Sequence, residues 1–222
     1  MSRQDYPIGD TNNGQIVQLS QSLVPIPVRG GGYPVPTLDF LWLASFRGDV
    51  YVSGDADQND VVTGQTSFAA TTPTFMIDVP AGINVVPLFL NLSQTGVVAG
   101  GAIDVIIEID KVKRYASGGT SEKVFNTVNR SAKSSFYTGA TATAGYGMTV
   151  FRATIGQDVS PAEGAIPGPF WKPDYPMILH GPASFLVYTY AGTTGPTWFW
   201  QAGFIELTDA ELENFLGTYR AA

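Results

Sequence analysis

The run at residues 195–208, GPTWFWQAGFIELT, constrains the fold of this chain more than any other stretch. Side chains along a strand alternate between two faces. Trp198, Trp200, Ala202 and Phe204 therefore point one way, and Phe199, Gln201, Gly203 and Ile205 the other. A half-solvated strand pairs an apolar face with a polar one. This strand is apolar on both, so it needs a β architecture with a cover on each side. Trp198, Trp200 and Phe204 are assigned to the core of that architecture. Phe199 and Ile205 are assigned to an interface under a second cover, either the helix that follows the strand or a neighbouring subunit.

Other strand signals recur along the chain at residues 38–46, 50–53, 74–79, 84–92, 102–113, 148–153 and 183–190. Turn chemistry separates them, as in Pro80 and Gly82 of VPAGINV and in AGTTGP before the Trp-rich strand. In the 102–113 run Ile103, Val105, Ile107 and Ile109 form one face, while Asp104, Glu108 and Asp110, with Ile106, form the other. That pattern predicts one buried and one wet face. Eight strands with no helical period between them predict an all-β, antiparallel, jelly-roll-like β-sandwich over residues 38–207.

Two segments flank the sandwich. Residues 1–37 read as an extended N-terminal arm, with prolines at 7, 25, 27, 34 and 36 that disfavour helix. Ile16, Val17, Leu19, Leu23, Val24, Ile26 and Val28 give the arm an apolar character, and such residues need a surface to lie on. That surface is either the chain's own domain or a neighbour; Leu23 and Ile26 are taken as interface residues. Residues 208–222 read as a short amphipathic helix. Thr208 is an N-cap type, Glu211 completes a capping box, and Leu207 with Leu212 forms a hydrophobic staple. Leu212, Phe215, Leu216 and Tyr219 supply the stripe that must dock.

Two loops stand out. Lys111, Lys113, Arg114, Lys123, Arg130 and Lys133 face a single acid, Glu122, so residues 111–133 carry a local charge of about +5. This is either a solvated loop or a contact for an acidic neighbour. Residues 161–182 hold six prolines around Phe170, Trp171 and Tyr175. A stiff loop lowers the entropic cost of contact, and these three aromatics are read as interface residues or as a stacking platform for a glycan. The tripeptide Arg47–Gly48–Asp49 can mark receptor binding, but a tight turn explains it here.

Catalytic signals are thin. The single histidine, His180, sits in a Pro/Gly turn without a G-x-S-x-G motif. With no cysteine, thiol nucleophiles, disulfides and Cys-type zinc sites are excluded. No P-loop or G-x-G-x-x-G occurs. Asp55, Asp57 and Asn59 open like an EF-hand loop, but Asp60 stands where glycine is needed and Thr66 where the bidentate acid belongs. They remain a weak calcium candidate, and no cofactor is predicted. Asp104 and Glu108 lie ~13 Å apart along their strand, outside either glycosidase geometry. The net charge of −7 argues against direct nucleic-acid binding. The start MSRQDYPIGD has no apolar core of a secretory signal, and no apolar run is long enough to span a membrane.

Charged residues make up only 14% of a chain that is 44% hydrophobic, whereas about 25% charge is ordinary. Either Ser, Thr and Asn supply the polarity of such a surface, or neighbouring subunits cover much of it, and the second is the favoured reading. The strand–turn–strand FMIDVPAGINVVPLFLNL, the extended arm and the late PTWFWQAGFIEL strand together resemble jelly-roll virion proteins of viruses and bacteriophages. The resemblance implies a non-enzymatic, capsid-associated homo-oligomer: a shell subunit, a decoration or cement protein, or a fibre base. It would contact its own copies and other capsid proteins, and reside in the virion after assembly in the host cytoplasm. The alternative is a carbohydrate- or receptor-binding β-sandwich module.

Overall fold

The structure is a computed structural model that describes residues 25–26, 35–36, 40–55, 61–95, 102–126, 128–155, 171–173 and 177–220. In chain order the elements begin with β1 (Pro25–Ile26), β2 (Val35–Pro36), α1 (Phe40–Arg47), β3 (Val50–Gly54), β4 (Val62–Thr63), β5 (Phe75–Val79), β6 (Ile83–Thr95) and β7 (Ile103–Asp110). They continue with β8 (Tyr115–Ser117), β9 (Thr120–Ser121), β10 (Val124–Asn126), β11 (Ser135–Thr138), β12 (Thr141–Ala142) and β13 (Met148–Ile155). The chain closes with β14 (Leu179–His180), β15 (Ala183–Ala191), β16 (Thr197–Thr208) and α2 (Asp209–Arg220).

Two six-stranded sheets face each other, one ordered β10-β3-β16-β6-β14 with β4 also on β16, the other β13-β7-β15-β5-β11-β9. Four antiparallel pairings nest: β3 with β16, β5 with β15, β6 with β14, and β7 with β13. Early strands therefore pair with late ones in concentric order, and successive members of the set alternate between sheets. This is the winding of a jelly roll. Seven of the eight predicted strands are present. The eighth strand of the roll, β14, is only two residues long and lies inside the proline-rich segment, where periodicity gives no signal.

Residues 38–46 depart from expectation: the chain forms α1 there rather than a strand. Leu41 and Ala44, three apart, pack on the first sheet, while Trp42 and Phe46, four apart, face outward with ring centroids 6.1 Å from each other. An apolar run this dense satisfies either period. The helix ends where Gly48 takes a φ of 77°. Its N–H donates to Ser45 O at 3.0 Å and the Asp49 N–H to Ala44 O at 2.8 Å. Those two bonds are a Schellman cap, so the Arg47–Gly48–Asp49 tripeptide is a helix terminus. A Cβ at position 48 would lie 2.0 Å from Val128 Cγ2.

The core between the sheets takes Trp198, Trp200, Ala202 and Phe204 from β16, as predicted. Trp200 stacks on Phe136 at 4.8 Å, and the Trp198 indole N–H donates to Thr189 Oγ1 across the core at 3.0 Å. β6 changes parity midway. Ile83 and Val85 face the core, and so do Leu90 and Leu92. The ladder slips between Gly203↔Phe89 and Phe204↔Pro87, leaving Leu88 as the extra residue of a β-bulge.

The outer face of the second sheet is covered over its middle and is wet only toward β13, where Arg152 and Thr154 are exposed. Ile106 is buried with Met76, Leu186, Tyr188, Ala140 and Ala142, and Glu108 is buried with its carboxylate accepting the Gly147 N–H at 3.2 Å. The segment between β7 and β13, read from sequence as one long loop, folds back as short strands. It adds β10 to the first sheet and β11 and β9 to the second.

Trp200→Ala is expected to cost roughly 3–5 kcal/mol of stability, and Phe199→Ala distinctly less, in urea denaturation; equal losses would contradict this layering. Gly48→Ala should cost about 1–2 kcal/mol for the left-handed backbone alone, with the Val128 clash in addition; an unchanged midpoint would contradict the cap.

Candidate interaction surface

The second cover of β16 is two helices, and it is partial. Ile205 and Leu207 are buried with Val86 and Ala44, and Leu41, Val50, Leu88 and Leu212 pack around them. Ile205 thus lies beneath both α1 and the first turn of α2. The predicted capping box is present: Thr208 N–H and Oγ1 donate to Glu211 Oε2 at 2.7 and 2.8 Å, and the Glu211 N–H donates to Thr208 Oγ1 at 3.3 Å. Burial opposes ionisation of Glu211, but the Thr208 hydrogen bonds and the Arg130 guanidinium outweigh it and hold its pKa below the usual range. The side chains of Phe215, Leu216 and Tyr219 lie outside the described residues.

Phe199 is not under this cover. It sits opposite Ser93, six residues or about 20 Å along the strand from Ile205, and is half-buried. Between them an apolar row crosses the outer face: Phe125 pairs with Val52, Val52 with Gly203, and Gly203 with Phe89. The Phe89 ring lies so close over Gly203 that a Cβ there would be 2.3 Å from it. Phe125 is 58% exposed, and beside it Trp42, Phe46 and Val128 are 60%, 67% and 49% exposed. The Asn126 amide donates to Gly48 O at 2.7 Å and to Val50 O at 2.8 Å, drawing β10 and Val128 against the end of α1. Exposed aromatics thus gather around one corner of the first sheet.

An ion network fixes that corner. Asp49 is fully buried; Arg130 Nη1 lies 2.5 Å from its Oδ1 and Arg47 Nε 2.9 Å from its Oδ2. Arg130 also reaches Glu211 at 3.2 Å, so one side chain ties the β7–β13 insertion to α1, β3 and α2. Burial raises the pKa of Asp49 despite its two guanidinium partners. The Glu206 carboxylate accepts the N–H groups of Lys133 and Ser134 at 2.8 and 2.7 Å.

This accounts for much of the basic run. Arg114 is buried and donates to Asp110 at 2.9 Å and to the carbonyls of Thr143 and Gly145, each at 2.8 Å. Lys113 Nζ lies 3.2 Å from Asp78. Half of the six basic residues therefore hold the insertion to its own domain.

The remaining candidates separate. Trp171 is not an exposed platform: it is buried against Phe185 at 5.4 Å, and its backbone pairs with Leu90. Phe170, Tyr175 and Leu23 lie outside the described residues, as does the side chain of Ile26. Asp57 and Asn59 lie outside them too. The Asp55 carboxylate accepts the Trp200 N–H at 2.8 Å. No group of three acidic or histidine side chains that could hold a metal occurs among the described residues. Asp55 and Glu122 line a polar cavity of about 290 Å³, and Glu122 also borders one of about 440 Å³ lined by Ser121, Asn126, Ser134 and Ser135. No helix among the described residues is long and apolar enough to cross a membrane. No protein family, curated protein or solved structure matches the chain.

Because the folded pKa of Asp49 is raised, its contribution favours the fold below the unfolded carboxylate range and is lost as pH rises through the folded value. Asp49→Asn should remove that component. In urea midpoints measured from pH 3 to 7, the variant should gain on the parent as pH rises. Parallel profiles would contradict it.

Proposed function

We propose that the chain is a non-enzymatic structural subunit of a virus or phage particle, building, decorating or cementing the shell through contacts between copies of itself and with other capsid proteins. On this reading it belongs to the virion and is assembled in the host cytoplasm. The observation that carries the reading is the uncovered aromatic corner. Both sheets have covers over their outer faces, yet Trp42, Phe46 and Phe125 are left more than half exposed. Exposed apolar patches of this kind mark interaction sites, and aromatic residues are enriched at such interfaces. A chain with only 14% charged residues fits the same use. Jelly rolls serve capsid proteins, lectins and enzymes alike, so the fold permits this role and the exposed aromatics support it.

The polar cavities beside Glu122 favour a second reading, a glycan- or receptor-binding module. Their hydroxyl, amide and carboxylate lining suits a polyhydroxylated ligand better than an apolar one. Saturation of a binding signal by an oligosaccharide, with the protein remaining monomeric, would select that reading.

At micromolar concentration, sedimentation equilibrium should give a mass of several chains. Deleting residues 1–37 should leave the sandwich folded and lower that mass. A monomeric full-length chain would refute the assembly role.

A further inference from the structure

Resting on that reading, we infer that the aromatic corner of the first sheet is the seat of the N-terminal arm of a second copy of this chain. The corner consists of Trp42 and Phe46 on α1, Val128, and the row from Phe125 through Val52 to Phe89. Its exposed members carry no charge, and an occupant must match that. Residues 11–28 have no charged side chain in eighteen positions, and Ile16, Val17, Leu19, Leu23, Val24, Ile26 and Val28 fall within them. The longer charge-free runs, residues 79–103 and 175–205, contain β6, β14, β15 and most of β16 and are already committed to the sandwich.

Length permits the contact. Twenty-four residues precede β1, and at about 3.3 Å per extended residue they reach on the order of 80 Å. The arm's prolines limit its unfolded conformations, so docking it costs less entropy than docking a glycine-rich chain.

The assembly role selects a second copy. Pro25 pairs with Pro36, and only residues 37–39 separate β2 from α1, so the run N-terminal to Pro25 starts close to the helix. That run is long enough to lie on its own corner or on a neighbour's, and only the neighbour's arm would join two copies. Each copy would then give one arm and receive one, which builds rings or closed shells when the contact is head-to-tail.

The test uses full-length protein. Phe46, and in a second preparation Phe125, is replaced by p-benzoylphenylalanine; both sites are more than half exposed, so the fold tolerates the change. Equal amounts of ¹⁴N and ¹⁵N chains are unfolded together, refolded, weighed by light scattering, irradiated and digested. The expected products join position 46 or 125 to peptides from residues 1–37 in mixed light–heavy pairs. Only light–light and heavy–heavy pairs would show each arm lying on its own domain and overturn the inference. Cross-links to other segments, or none, with oligomers still present would overturn the seat while leaving the assembly role standing. A monomeric mass would bring down the assembly role itself.

Discussion

Everything else in this molecule is arranged around the two-sided burial of β16. The strand lies between β3 and β6 at the middle of its sheet, and its inner row of Trp198, Trp200, Ala202 and Phe204 fills the space between the sheets. Trp198 does more than fill volume. Its indole donates to Thr189 of the opposite sheet, whose hydroxyl lies 2.9 Å from that of Thr74. A buried donor left without a partner is costly, so this bond also selects the relative placement of the sheets. The outer row requires a cover, and Ile205 and Leu207 receive one from α1 and α2.

The insertion between β7 and β13 completes the enclosure. It adds strands to both sheets along one edge, covers the outer face of the second sheet through Ala140 and Ala142, and sends Arg130 into the Asp49 pocket at the corner of the first. Its positive charge is an internal resource. Arg114, Lys113 and Arg130 are spent on Asp110, Asp78, Asp49 and Glu211. Because the cover of the first sheet is partial, the aromatic surface left open at α1 and β10 becomes the informative feature.

Much of the sandwich was legible in the sequence, because its signals are local. The alternation in Ile103–Asp110, the capping box at Thr208 and Glu211, and the Trp-rich row each follow from spacing alone. What was missed depended on tertiary context. FLWLASFR is apolar at nearly every position, so neither period stands out, and only packing on Val86 and Ile205 decides for a helix. Ile106 and Glu108 looked wet because the segment that covers them arrives some thirty residues later. Trp171 looked available for contact because nothing in a proline-rich run says that its backbone pairs with Leu90. The aromatic corner was hidden for a related reason: Phe46 and Phe125 lie far apart in sequence, and the Asn126 bonds that bring their elements together are invisible to pattern.

The central claim is that this chain works as a repeating unit, and an image of the purified full-length protein by negative-stain electron microscopy tests it most directly. The account requires rings or closed particles built from repeated sandwich-sized units. A field of isolated single domains, unchanged as concentration is raised, would contradict it.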